Sequence, residues 1–167
     1  PDIVAKSLDK NINKDEKIFY LSPKGKKFNQ NFANSLSKKN GINLICGHFE
    51  GIDNRLLSTR NIEEISIGDY ILSGGETAAF VILDSVLRLI PGVLGNKDSV
   101  KEETFENSLL EYPQFTKPKV WEGKSVPEVL FSGDHAKIKG WRLSQSEDIT
   151  RRQRPDLWEK YLKDKKQ

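Results

Sequence analysis

Residues 66–92, SIGDYILSGGETAAFVILDSVLRLIPG, restrict the fold more than any other stretch. A short apolar run, read as a strand over 69–75, breaks at Ser73-Gly74-Gly75. A long apolar helical pattern over 77–92 follows at once and stops at Pro91-Gly92. Two adjacent glycines between a strand and a buried helix imply a backbone that must come close to something. The preceding segments repeat the alternation. KIFYLSP (17–23) reads as a strand stopped by proline. Residues 26–39 place Phe28, Phe32 and Leu36 at i, i+4 and i+8, an amphipathic helix. NGINLICG (40–47) reads as turn, buried strand and glycine stop, and a short helix at 52–58 has Asp53 as its candidate cap. Near-continuous apolar strands alternating with helices predict an α/β fold with a mostly parallel sheet covered on both faces.

Composition narrows the classes. The chain has 167 residues, 36% of them apolar, enough for one domain or for one domain with a small appendage. No apolar run approaches the roughly 20 residues of a membrane span, and PDIVAKSLDK at the start reads as the middle of a helix rather than a signal peptide. With no methionine anywhere, the expectation is an N-terminally truncated or cleaved product, or simple loss of the initiator. The single Cys46 cannot form an internal disulfide and points to a reducing compartment. Two distant histidines and one cysteine make no metal-ligand cluster, so no metal site is expected.

Beyond Gly95 the texture changes. Residues 96–108 are polar and aperiodic, a linker or an active-site loop. YPQFTKP (112–118) and VPEVLFSGDH (126–135) are rich in turn residues. Helices are expected over 135–146 and 154–166, with Pro155 suited to a first helical position and Trp141 and Trp158 as core residues. Charge is distributed unevenly: residues 1–95 carry 12 Lys/Arg against 11 Asp/Glu, and residues 135–154 carry 6 against 2. That excess fits a polyanion partner, weighed equally against a solvated helical face.

The strands end in three similar loops, at 21–25, 46–51 and 72–75, each bearing glycine. In open α/β sheets ligands bind outside the carboxyl ends of the strands. Main-chain N–H and C=O groups there suit an adenine edge, although tight turns alone would also require glycine. Neither GxxxxGK[ST] nor GxGxxG occurs, so a nucleoside without phosphates fits better than a nucleotide. Glu50 could fix a base or ribose. Asp84 and Arg88 share a face of the 77–92 helix, and a charge on so apolar a helix is satisfied internally or faces a cavity. His48 reads as a hydrogen-bonded structural histidine and Cys46 as a small buried hydrophobe.

The ordered motifs YLSPKGK, LICGHFEGIDNR, SIGDYILSGGE, DSVLRLIPGVLG and YPQFTKP…VWEGKSVPEVLFSGDHAKIKGWR resemble the bacterial tRNA (guanine-N1)-methyltransferases of the TrmD type, in the SPOUT superfamily. The resemblance covers essentially the whole chain. It implies a deep trefoil knot in the α/β domain, followed by a small helical tRNA-binding domain. It divides this chain into 1–94, a flexible linker at 95–109, and 110–167. It implies further residues ahead of Pro1, supplying a first strand and a glycine-rich loop. The implied reaction moves a methyl group from S-adenosylmethionine to N1 of guanosine 37, in a cytoplasmic homodimer with composite active sites and no membrane association. A divalent ion such as Mg2+ is implied as an assistant.

By the same resemblance Ser22, Pro23, Gly25, Gly47, Ile67, Tyr70, Leu72, Gly74 and Gly75 line the cofactor pocket, and Glu50 stands near the methionine part and the guanine. Arg88 matches an arginine that stabilises charge on guanine. Glu103, in Glu102-Glu103-Thr104-Phe105, takes the place of the family's usual aspartate base, one methylene longer. Lys137, Lys139, Arg142, Arg151, Arg152 and Arg154 would contact phosphates of the tRNA anticodon arm. The alternatives are a fragment that binds cofactor without turnover and a non-catalytic RNA-binding module.

Overall fold

A computed structural model describes residues 1–12, 16–93 and 105–166. The chain divides into two compact units, Pro1–Lys97 and Asp98–Gln167. In the first, α1 (Asp2–Asn11) precedes β1 (Lys17–Lys27), α2 (Gln30–Ser37), β2 (Ile42–Ile45), α3 (Asn54–Thr59), β3 (Glu63–Ser66) and α4 (Gly75–Leu87). The three strands form one sheet in the order β2-β1-β3, and both pairings are parallel. Phe19 lies opposite Leu44 on one side and Glu63 on the other. Phe19, Leu21 and Ile65 share one sheet face. They pack with Ala33 and Leu36 of α2 and with Ala78, Ala79, Ile82 and Val86 of α4 in a single core. Residues of opposite parity, Ile18 and Tyr20, are only half-buried. Each large aliphatic side chain taken fully out of water contributes about 1.5–3 kcal/mol, so this cluster is the main source of the unit's stability.

β1 does not stop at Pro23. Its register against β3 slips between Leu21 and Lys26, so that both lie opposite Ile65. The residues between them leave the ladder, because Pro23 has no N–H to give it. Gly25 closes the excursion. A Cβ there would stand 2.3 Å from Glu64 C and Ile65 N, main-chain atoms that cannot step aside.

Two expectations are corrected. The strand placed at 69–75 is instead Glu63–Ser66, and residues 67–74 are irregular. Ser66 Oγ accepts from Gly68 N–H at 3.2 Å and donates to Gly68 O at 3.1 Å, which turns the chain out of the sheet. Tyr70 and Ile71 are consequently exposed rather than buried in a strand. Helix α4 is also not largely buried. It buries Gly75, Ala78, Ala79, Ile82 and Val86 and leaves Phe80 71% exposed, with Val81 and Leu87 also open. Local signals hold better: Asp53 Oδ1 caps α3 by accepting from Arg55 N–H at 2.9 Å, and Asn29 caps α2 through Phe32 N–H.

The second unit contains the hairpin β4 (Val120–Trp121) and β5 (Lys124–Ser125), then α5 (His135–Gln153) and α6 (Pro155–Asp164). Helix α5 starts on Asp134, whose side chain accepts from Ala136 N–H and Lys137 N–H, and it runs past the expected end at 146. It stops because Pro155 excludes helical geometry at Arg154, and Pro155 then opens α6. Tyr161 Oη donates to Glu147 Oε1 at 2.6 Å and joins the two helices. Thr150, fully buried, donates to Ser146 O at 2.6 Å and accepts from Leu110 N–H at 2.8 Å. Trp141 and Trp158 are half-buried rather than core residues. Among the described residues no helix is long and apolar enough to cross a membrane.

Candidate active site

A cleft of about 380 Å³ opens between the excursion inside β1 and the carboxyl ends of β2 and β3. Three segments wall it: the β1 excursion at Ser22, Pro23 and Lys24, the turn Gly47–Ile52 after β2, and residues 66–75 after β3. Ser22, Pro23, Gly47, Ile67, Tyr70, Leu72, Gly74 and Gly75 all line it. Gly25 does not; it is spent on the close passage of β1 over β3.

The paired glycines have a visible cause. Gly75 N–H donates to Gly47 O at 3.1 Å, which draws the first turn of α4 onto the end of β2. A Cβ at Gly75 would come within 2.7 Å of Cys46 Cα. The sheet edge and the helix N-terminus can meet only if that position carries no side chain. The turn after β2 is tight as well: Gly51 N–H returns to His48 O at 3.0 Å, and Phe49 adopts the left-handed conformation with φ of 54°.

The cleft has Glu50 and Glu64 as lining carboxylates and Lys24 as a lining cation, with Ser22, His48, Asn54, Ser66 and Ser73 among its other polar residues. That set suits a nucleoside with a cationic centre better than a phosphate chain. At the rim His48 Nε2 and Glu76 Oε1 are 2.6 Å apart. The carboxyl of Glu76 is held below its ordinary range, first by its own backbone N–H at the helix start and then by His48. Burial, followed by the charge of Glu76, pushes the Cys46 thiol up, which disfavours a reactive thiolate. Asp53 is kept far below the carboxylate range by the Arg55 side chain, which donates at 3.0 and 2.7 Å, and is committed to its cap.

Glu50 lines the cleft and is exposed. Arg88 is half-buried at the C-cap of α4 and does not line it. The 13 residues of α4 put Arg88 about 20 Å from Gly75 along the helix, out of reach of the cleft of its own chain. Glu103 lies outside the described residues.

In the second unit Lys137, Lys139, Arg142, Arg151 and Arg152 are all carried by α5 and Arg154 caps its end. At roughly 100° per residue they do not form one stripe. Lys137, Arg151 and Arg152 fall on one side of α5, and Lys139 and Arg142 on the other. Lys137 pairs with Asp134 at 3.3 Å, Arg151 with Asp148 at 2.8 Å, and Arg154 with Asp156 at 2.6 Å. The Arg142 guanidinium lies 4.7 Å from the Tyr112 ring centroid. It borders an open, mainly apolar groove of about 770 Å³ that includes Phe115, Phe131, Ile138 and Trp141.

Sequence reasoning missed Tyr20, Phe49 and Ile71 as cleft residues. For Tyr20 a signal existed, since it alternates with the core residues Phe19 and Leu21 on β1; for Phe49 and Ile71, set by loop paths, there was none. Among the described residues no group of three or more His, Cys, Asp or Glu is placed to hold a metal ion.

Over residues 1–160 the chain matches the family model described as tRNA (Guanine-1)-methyltransferase TrmD. A curated tRNA (guanine-N(1)-)-methyltransferase of Pelagibacter ubique (strain HTCC1062) is 75% identical over 162 residues, which is 97% of this chain and 71% of the relative. A protein of the same name from Brucella canis is 51% identical over 165 residues, 99% of this chain and 67% of the relative. Another, from Brucella ovis, is 50% identical over 165 residues, with 99% and 68% covered.

Proposed function

The chain belongs to the tRNA (guanine-1)-methyltransferase TrmD family, and we propose that it transfers a methyl group from S-adenosylmethionine to N1 of guanosine 37 in tRNA. The observation that carries this reading is the cleft itself: the β1 excursion and the segments after β2 and β3 converge on about 380 Å³ and lack a phosphate-binding motif. The volume falls in the range of roughly 300–1,000 Å³ usual for small-molecule sites. We read the first unit as a SPOUT domain with its trefoil knot at these loops, the second as the tRNA-binding part, and the reaction as cytoplasmic.

S-adenosylmethionine, when bound, supplies an electrophilic methyl group on a sulfonium. The chain's own residues do the rest. The loops at Ser22-Pro23, Gly47 and Leu72–Gly75 would hold the adenosine, and the carboxylate of Glu50, which lines the same cleft, would offset the charge of the sulfonium. Guanine N1 carries a proton and is a poor nucleophile, so a carboxylate must take that proton as the N1–methyl bond forms and the methyl–sulfur bond breaks, its electron pair staying on the departing thioether. Glu103 is assigned that role. Negative charge builds on guanine O6 as the proton leaves and is discharged once the N1–methyl bond is complete, so a guanidinium there lowers the barrier. Arg88 is assigned that role, in the cleft of a second copy: its own cleft is a helix length away, and α4 presents the exposed apolar side chains Phe80, Val81 and Leu87 for such a copy to cover. No step is assigned to Mg2+, for which the described residues offer no ligand cluster.

The test is transfer of labelled methyl from S-adenosylmethionine to unmodified tRNA, with calorimetric titration of S-adenosylhomocysteine alongside. Binding and transfer together are expected. Binding without transfer would reduce the chain to a cofactor-binding fragment, and neither would leave an RNA-binding module. Glu103→Ala should lower the single-turnover rate at least 100-fold, in line with general-base catalysis, while S-adenosylhomocysteine affinity stays near wild type. An unchanged rate removes Glu103 from the chemistry.

A further inference from the structure

Between the turn after β2 and the first turn of α4 lies a side-chain pair that the reaction scheme does not use. His48 Nε2 and Glu76 Oε1 approach to 2.6 Å across the junction already drawn together by Gly75 N–H on Gly47 O at 3.1 Å. The pair lies directly against the glycine turn: a Cβ on Gly74 would stand 2.6 Å from Glu76 Oε2 and 3.0 Å from His48 Cε1. His48 also accepts, through its carbonyl, the Gly51 N–H that closes the turn bearing Phe49 and Glu50. One residue therefore ties that turn at both ends, to itself through the backbone and to α4 through its ring. Both side chains are about half exposed, at 54% and 52%. An exposed pair adds little to global stability. Its effect is local, on the freedom of a turn that forms one wall of the cleft.

We infer that His48 and Glu76 are positioning residues, whose bond clasps the Gly47–Gly51 turn onto the start of α4 and holds the cleft in the shape that accepts the cofactor. The inference rests on reading the cleft as the S-adenosylmethionine site. A wall already ordered loses less conformational freedom on binding, and the gain appears as affinity. Neither residue touches the reacting atoms in this scheme. His48 thus has a role beyond that of an ordinary structural histidine.

The full chain and its variants are titrated with S-adenosylhomocysteine by calorimetry, and their thermal unfolding is followed without ligand. His48→Ala and Glu76→Ala should each bind about fivefold more weakly, and the double variant no more weakly than the worse single one, because both remove the same bond. His48→Gln should recover most of the affinity, since its amide N–H donates to the same carboxylate. Ligand-free melting temperatures should stay within about 2 °C of wild type, as for other exposed pairs. Equal affinities throughout, additive losses, no recovery in His48→Gln, or melting temperatures that fall in step with affinity would each overturn the clasp. A wild-type chain that does not bind S-adenosylhomocysteine would overturn the cofactor reading of the cleft instead.

Discussion

Gly25, closing the excursion of β1, and Gly140, inside α5, both lack a side chain, yet their surroundings are opposite. A Cβ at Gly25 would stand 2.3 Å from main-chain atoms of β3, whereas a Cβ at Gly140 on α5 meets nothing within 4 Å. Gly25→Ala should therefore part β1 from β3 and cost more than about 3 kcal/mol, at the upper end for overpacking. Gly140→Ala removes backbone freedom from the unfolded chain and should stabilise by about 1 kcal/mol. Urea titration followed by circular dichroism reads both, and a neutral Gly25→Ala would refute the register slip. The sequence places Gly25 only in a loop that resembles a cofactor site. Its actual constraint, the passage over Glu64 and Ile65, depends on a strand forty residues away and has no local trace.

Elements were legible where their signals are short-ranged. Asp53 before α3 and Pro155 at the start of α6 act within one helical turn, and the sequence reading located both. Burial was less legible. Glu63–Ser66, with its two glutamates, does not look like a central-sheet neighbour, yet Ile65 is 1% exposed and pairs with Leu21. The more apolar Tyr70-Ile71-Leu72 does look like a strand, but the Ser66–Gly68 bracket turns it out of the sheet to wall the cleft. Helix α4 is strongly apolar, which composition alone reads as buried; the structure leaves Phe80, Val81 and Leu87 exposed. If a second copy covers them, Phe80→Glu should yield a monomer by sedimentation velocity with an unchanged circular dichroism spectrum. A dimer of wild-type strength would exclude α4 from the interface.

At the scale of the whole molecule the acid response can be derived. Asp9 is held below its ordinary range by the Arg60 side chain, Asp134 by Lys137 N–H at the start of α5, Glu147 by the Tyr161 hydroxyl and Asp156 by the Arg154 guanidinium. A carboxyl whose folded value is depressed adds stability that is complete above its unfolded value and lost as pH falls through the folded one. Both units carry such groups, so melting temperature should be nearly flat from about pH 7 to 5 and fall below about pH 4. Added salt should shrink the fall, because most of these pairs are exposed. A melting temperature that rises on acidification would contradict these pairings. The family and its chemistry were legible in the order of motifs along the chain, as was the alternation of strands, glycine turns and helices, because glycine, proline and capping side chains constrain only their nearest neighbours. Tertiary structure alone decided that β1 runs on past Pro23, that Gly25 is fixed by its passage over β3 and not by the cleft, and that His48 reaches Glu76. Each of these depends on segments brought together by parallel pairing across long intervals of chain, and side-chain pattern does not encode that register.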